Sequence, residues 1–150
     1  DSPYKRVISE GFKAWSHNQH NLIFGAIYET TLDDNAPIFA LSRAGGFFRL
    51  SGFNDNEVAG QHFGMIGAAY RYKLGADGLL PAYLGGSIEF GNVADERSDV
   101  WDGGLLHGSL YVGFDLPIGP FYAGFGVGEN DRSQFFVRLG NIFGNSTIGR

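Results

Sequence analysis

The side chains most able to do chemistry in this chain of 150 residues are four histidines and sixteen carboxylates, and cysteine is absent. His17 and His20 stand three apart, with Asn18 and Gln19 between them. Two imidazoles at that spacing can share a metal, but a zinc site takes a third ligand and a rigid frame. A polar turn accounts for the pair more simply. Asp95, Glu96, Asp99 and Asp102 could gather around calcium, yet they lack the Asp-x-Asp-x-Asp-Gly spacing of a calcium loop and read as a solvated loop. Gly124-Phe125-Gly126-Val127-Gly128 has the outline of a nucleotide loop without the Lys-Ser/Thr that grips phosphate and without a helix to follow. No Gly-x-Ser-x-Gly elbow occurs, so a hydrolase nucleophile of that kind is missing. Without cysteine there are no disulfides, thiolate metal sites or thiol nucleophiles. The chain is therefore expected not to be an enzyme and to carry no metal and no cofactor. A net charge of −5 with no basic stripe argues against nucleic acid as a partner.

The elements that would carry these residues are strands. Gly is 24 residues, Phe 14 and Tyr 7, with a single Met and 18% charged residues. Helical domains favour Leu, Ala, Glu and Lys over Gly; bent strands with aromatic girdles favour this composition. The mean hydropathy is −0.10, which suits strands that alternate apolar and polar faces. No apolar run approaches the roughly 18–20 residues of a spanning helix.

Period-2 alternation is clear from residue 61 onward. In Gln61–Leu74, Ile66, Ala68, Tyr70, Tyr72 and Leu74 oppose Gln61, Arg71 and Lys73. In Pro81–Val93, Ala82, Leu84, Ile88 and Phe90 oppose Tyr83, Ser87 and Glu89. In Leu105–Leu116, Leu106, Leu110, Val112, Phe114 and Leu116 oppose His107, Ser109, Tyr111 and Asp115. Phe121, Ala123, Phe125 and Val127 oppose Tyr122 and three glycines, and Phe135, Val137 and Leu139 oppose Phe136 and Arg138. Alternate glycines at 124, 126 and 128 make a smooth face that another segment can approach closely. Glu129-Asn130-Asp131-Arg132 reads as the hairpin before the last strand. His62 and His107 fall on the polar parity and read as lining water.

The first third is less regular. Residues 4–15 and 21–32 read as two strands around a polar break at Ser16–His20, the first with Lys5, Arg6, Glu10 and Lys13 spread over both faces. That makes seven strands, or eight if Ile38–Leu50 pairs. Gly75–Leu80 and Pro117–Gly119 are short connections; Ala94–Gly104 and Asp33–Gly60 are long. Short turns on one side and long polar loops on the other is the habit of outer-membrane barrels. A soluble antiparallel barrel would turn the same apolar face inward, and alternation alone does not choose between the two.

Four segments carry a resemblance: Gly45-Gly46-Phe47-Phe48-Arg49-Leu50-Ser51-Gly52-Phe53, Ser87-Ile88-Glu89-Phe90-Gly91-Asn92-Val93, Gly113-Phe114-Asp115-Leu116-Pro117-Ile118-Gly119-Pro120 and Arg138-Leu139-Gly140-Asn141-Ile142-Phe143. In this order they resemble the C-terminal strands of the bacterial surface antigen (BamA-like) barrel superfamily, and most closely the translocator barrel of patatin-like phospholipase autotransporters. The resemblance implies an all-β, antiparallel transmembrane β-barrel domain over residues 1–150, these strands being about half of a sixteen-stranded barrel. It implies a lumen loop over about 33–60 with its tip at Arg49, Leu50, Ser51, Gly52 and Phe53, and a contact from Arg49 to the acidic position Glu89. The superfamily tip is Val-Arg-Gly-Phe/Tyr; here Ser51 stands where that arginine would be. Pro117, Gly119 and Pro120 would form a periplasmic turn, Phe143 the terminal aromatic read by the barrel assembly machinery, and 144–150 a tail.

The function implied is a segment that exports or anchors an N-terminal passenger in the bacterial outer membrane, with lipid as its surroundings. A small eight-stranded structural or adhesion barrel and a soluble ligand-binding barrel are the alternatives. Asp1–Arg6 lack the regions of a secretory leader, so an exported parent would be processed or longer. An open edge in lipid leaves backbone groups unsatisfied; the strands must close on themselves, pair with a second copy, or belong to a larger barrel.

Overall fold

The computed structural model describes residues 4–32, 36–75 and 82–140. They form one antiparallel sheet of seven strands with a small two-stranded ribbon beside it. In chain order the strands are β1 (Arg6–His17), β2 (His20–Thr31), β3 (Ser42–Ala44), β4 (Val58–Gly60), β5 (His62–Leu74), β6 (Ala82–Ala94), β7 (Leu105–Leu116), β8 (Gly119–Gly128) and β9 (Arg132–Leu139), with one short helix, α1 (Asp99–Asp102), between β6 and β7. The large sheet is ordered β1-β2-β5-β6-β7-β8-β9, and β3 pairs with β4. Among the described residues β1 and β9 do not pair, so the sheet is open. Seven strands is an odd number, so these two edges run in the same direction.

The face assignments read from alternation hold along β5 to β9. Ile66, Leu84, Ile88, Leu110, Phe125 and Phe135 are exposed on the convex face, Leu110 at 73%. On the concave face His107, Ser109, Tyr111, Tyr122, Gln134 and Glu89 are buried. Along β6 to β9 the outward side is apolar, while the inward side mixes polar residues with Tyr111, Tyr122 and Phe136; on β5 Phe63 and Met65 also point inward. What covers the inward side is the segment between β3 and β4. Phe47, Phe48, Leu50 and Phe53 are almost wholly buried and join Ile23, Ile27, Phe63, Met65, Tyr111, Tyr122 and Phe136 in one core.

Three expectations change. Ile38–Leu50 does not add an eighth strand to the sheet. Ile38–Ala40 is a single 3-10 turn and only Ser42–Ala44 is extended. Gly45 and Gly46 at φ +121° and +99° then break the strand; a Cβ on Gly45 would lie 1.9 Å from the Asn54 carbonyl oxygen, so that corner admits only glycine. The polar break at Ser16–His20 is narrower than expected. His17 pairs with His20 across a turn of Asn18 and Gln19 alone, because Asn18 accepts the left-handed conformation at φ +54°. The first strand accordingly runs to His17.

Turn lengths follow the expected two-sided pattern only in part: the three-residue β8–β9 hairpin lies on the side of the long connections, and most of Gly75–Leu80 lies outside the described residues. The hairpins β1–β2 and β7–β8 each close in two residues at one end of the sheet. The 32–61 and 95–104 connections lie at the other end. Pro117 and Ile118 make the β7–β8 turn, and Gly119 at φ +122° starts β8. Pro120 lacks a ladder donor, but its carbonyl accepts the Gly140 N–H at 2.8 Å. Phe143 and the tail 144–150 lie outside the described residues.

Candidate functional site

Strand parity turns Glu89 of β6 into the concave face, where it is 1% exposed. A carboxylate there requires donors, and the loop supplies them. The backbone N–H groups of Leu50 and Ser51 donate to Glu89 Oε2 at 2.8 and 2.9 Å, and the Ser51 hydroxyl donates to Oε1. Ser87 Oγ adds a bond to Oε1 at 2.7 Å and lies 2.6 Å from Ser109 Oγ, so the polar line continues onto β7. Consecutive N–H groups converge on one anion only when the backbone is bent into a concavity. Phe48 and Leu50 provide the bend, at φ +54° and +70°. Such conformations cost a non-glycine residue on the order of 1 kcal/mol each. Burial of both side chains, at 2% and 0% exposure, and the bonds to Glu89 offset that cost.

The rest of the tip is held by β7, β8 and β9. The Gly52 N–H donates to His107 Nδ1 at 3.1 Å, and the Phe53 ring packs on the His107 ring at 5.0 Å. Gln134 Nε2 donates to the Ser51 carbonyl at 3.0 Å. Phe47 stacks on Phe136 at 4.8 Å and meets Tyr111 edge-on at 4.6 Å. The glycine face of β8 is what lets the loop in: a Cβ on Gly126 would sit 1.8 Å from the Ser51 carbonyl oxygen, and one on Gly52 would sit 2.5 Å from the Gly128 nitrogen. This close approach is the use that alternation at 124, 126 and 128 suggested.

Arg49 does not pair with Glu89. Its Nη2 donates to Glu29 Oε1 at 2.8 Å and to the Arg43 carbonyl at 2.7 Å, and its guanidinium covers the Phe63 ring at 4.7 Å. Glu89 is already occupied by two amides and two hydroxyls. The tip therefore presents its backbone and Ser51 to Glu89, while the Arg49 side chain reaches β2. Arg6 of β1 also pairs with Glu29. Glu29, 4% exposed, went unnoticed in the sequence, although its parity with Ile23 and Ile27 marks it as inward.

Two further ion pairs fasten the loop to β9. Arg132 lies 2.6 Å from Glu57 and over the Phe53 ring at 4.5 Å, and Arg138 pairs with Asp55. The Asn54 N–H, followed by Arg132 and the Asn54 side chain, holds the Glu57 carboxyl below the ordinary carboxylate range. Every inward residue of β9, namely Arg132, Gln134, Phe136 and Arg138, touches the loop.

Beyond the loop seat, towards the short turns, the concave face stays polar. Arg71 donates to Tyr122 Oη at 3.1 Å and covers the Tyr83 ring, whose hydroxyl donates to Asp115. On the outward face His20 Nδ1 lies 2.6 Å from the Tyr70 hydroxyl. At the opposite, long-loop end Thr30 Oγ1 lies 2.7 Å from His62 Nδ1; His62 shares the parity of Ile66 and is wholly buried, so it does not line water as expected. Among the described residues no three His, Asp or Glu side chains converge as metal ligands. Asp99 and Asp102 lie in α1, whose Val100 is buried against Gly64. Ser51 and Glu89 touch, but both are shut away at 0% and 1% exposure. The arrangement works as a clasp, with no open side for a substrate. A scan against protein-family models and a search of curated proteins each found no match for this chain.

Proposed function

We propose that this chain is a membrane-embedded segment of a bacterial outer-membrane β-barrel, of the translocator kind that exports or anchors an N-terminal passenger. The observation that carries this reading is the band of exposed apolar residues along the outward face, set against the buried polar residues opposite. A soluble barrel turns its apolar face inward; here Leu110, Phe135, Leu139 and Ile88 stand outward and exposed while Glu89, His107, Ser109 and Gln134 are inside. The outward apolar residues of β7 run from Leu106 to Leu116. At the usual tilt of membrane strands that spans about 25 Å along the membrane normal, the height of a barrel's lipid band. The resemblance of the loop tip and the last strands to the surface antigen barrels supports the translocator assignment. The loop seated on Glu89 is then a plug that narrows the lumen.

Strand parity bears on closure. β1 and β9 run in the same direction, so joining them, or joining each to a copy related by the barrel axis, gives a parallel seam. An antiparallel barrel takes an odd number of further strands. A small eight-stranded structural barrel needs one, and the filling of the concave face by Phe47, Phe48, Leu50 and Phe53 favours that as the second reading.

The test is native mass spectrometry of the purified chain in detergent, heated and unheated, beside the same chain in plain buffer. Detergent dependence with a heat-sensitive folded form is expected. A monomer that stays folded and soluble in plain buffer would overturn the membrane reading. A lone heat-sensitive 16.3 kDa species would favour the small barrel over the translocator.

A further inference from the structure

The outward face of the sheet is not uniformly filled. On β1, β2, β5 and β6 a trough of about 690 Å³ has Gly11, Ala26 and Ala68 as its floor and Phe24, Ile88 and Phe90 among its walls. A second hollow of about 330 Å³ shares Gly11, Ala26 and Ile66 and extends the furrow up to Trp101. The floor residue Gly11 has no internal reason to be glycine. Nothing lies within 4 Å of a Cβ built there, and its backbone is not left-handed. By contrast, Gly25, Gly91, Gly124 and Gly126 each abut side chain or backbone closer than 3 Å. Glycine weakens a strand interior and is kept where something else approaches closely. At Gly11 no part of the described chain approaches.

The lower rim of the furrow carries Lys13. Phe12 packs inward on Phe48, so Lys13, one position on, points outward. Among the described strand residues it is the only charged side chain on the convex face. Its Nζ lies 5.7 Å from the Trp15 ring, and Trp15 meets Phe24 edge-on at 5.5 Å. Lys13 is thus directed towards the end of the short turns, where an indole belt and an ammonium suit a headgroup layer. An unpaired ammonium on a lipid-facing strand costs up to about 2–4 kcal/mol near the midplane, and an anion beside it removes that cost.

We propose that the furrow seats one acyl chain of an anionic glycerophospholipid from the short-turn leaflet, with the phosphate at Lys13 and the chain lying over Gly11, Ala26 and Ile66. The site rests on the membrane reading given above. The apolar furrow fits a hydrocarbon chain, and the single positive charge at its mouth fits the phosphate.

The test uses the full chain as W101F, leaving Trp15 as its one indole, in phosphatidylcholine vesicles. Small fractions of phosphatidylglycerol or phosphatidylcholine with brominated acyl chains are added, and quenching of Trp15 is measured. The expected result is half-quenching at about fivefold less brominated phosphatidylglycerol than phosphatidylcholine, the worth of one lysine at an anionic surface. Lys13→Gln should abolish that preference. Gly11→Leu should fill the furrow and weaken quenching by both lipids. Equal curves for the two lipids, or curves unmoved by both substitutions, would overturn the site while leaving the membrane reading intact. Absence of quenching by either lipid in the unsubstituted chain would remove the membrane reading and the site together.

Discussion

The Ser51 hydroxyl donates to Glu89 although the two residues stand 38 positions apart, and the Ser51 and Leu50 amides meet the same carboxylate. Removing the carboxylate strands those donors in a buried place. Glu89→Ala should cost about 3 kcal/mol or more, since each unsatisfied buried donor is worth about 1–3 kcal/mol. Glu89→Gln keeps an acceptor for the amides and should cost less. The midpoint of heat unfolding in detergent, compared across the two variants, checks this. Equal midpoints for both variants and the unsubstituted chain would refute the clasp.

The partner of Arg49 is separable by a double-mutant cycle. Arg49→Met with Glu29→Gln should show a coupling of about 1 kcal/mol, modest because Arg49 is partly exposed. Arg49→Met with Glu89→Gln should be additive within about 0.5 kcal/mol. The reverse ranking would restore the Arg49–Glu89 pair expected from the sequence.

Gly126→Ala should expel the loop, since its Cβ would overlap the Ser51 carbonyl. Gly11→Ala, with open space around its Cβ, should leave the loop seated. Protease cleavage within residues 45–57, followed over time, should accelerate in the first variant alone.

Acid should loosen the outer end of the loop. The Glu57 carboxyl is held below its ordinary range by the Asn54 amide and by Arg132. Its contribution is therefore present above the ordinary carboxylate value of about 4 and is lost as pH falls through the lowered value. Because the group is solvent-screened the effect is small. Protection of the Asn54 amide against hydrogen exchange, relative to its intrinsic rate at each pH, should fall below that pH in the unsubstituted chain and be low throughout in Glu57→Gln.

How much of this was legible follows from which signals are local. Strands β5 to β9 were readable because Ile66, Leu84, Leu110, Phe125 and Phe135 alternate strictly with inward residues, and that alternation also turned Glu89 inward. The loop path was not readable beyond its glycines. Phe48 and Leu50 adopt left-handed backbone for which their side chains give no signal; the conformation is imposed by the Glu89 carboxylate on the concave face. The partner of Arg49 is illegible for the same reason, because the bend that aims two amides at Glu89 sends the guanidinium to β2. Glu29 carries no local signal, because its neighbours in the chain are apolar or hydroxylic. Ile38–Leu50 mimics a strand because Phe47, Phe48 and Leu50 are apolar for the loop's own burial, while Ile38 and Phe39 stand exposed in the 3-10 turn.

The loop is gripped from β2 through Glu29, from β6 through Glu89, from β7 through His107 and from β9 through Arg132, Gln134 and Arg138. Its seat therefore does not exist until the last of these strands has been laid down. Residues 45–57 must wait through the synthesis and placement of some eighty later residues before they can dock, so a seated loop records that assembly has reached β9.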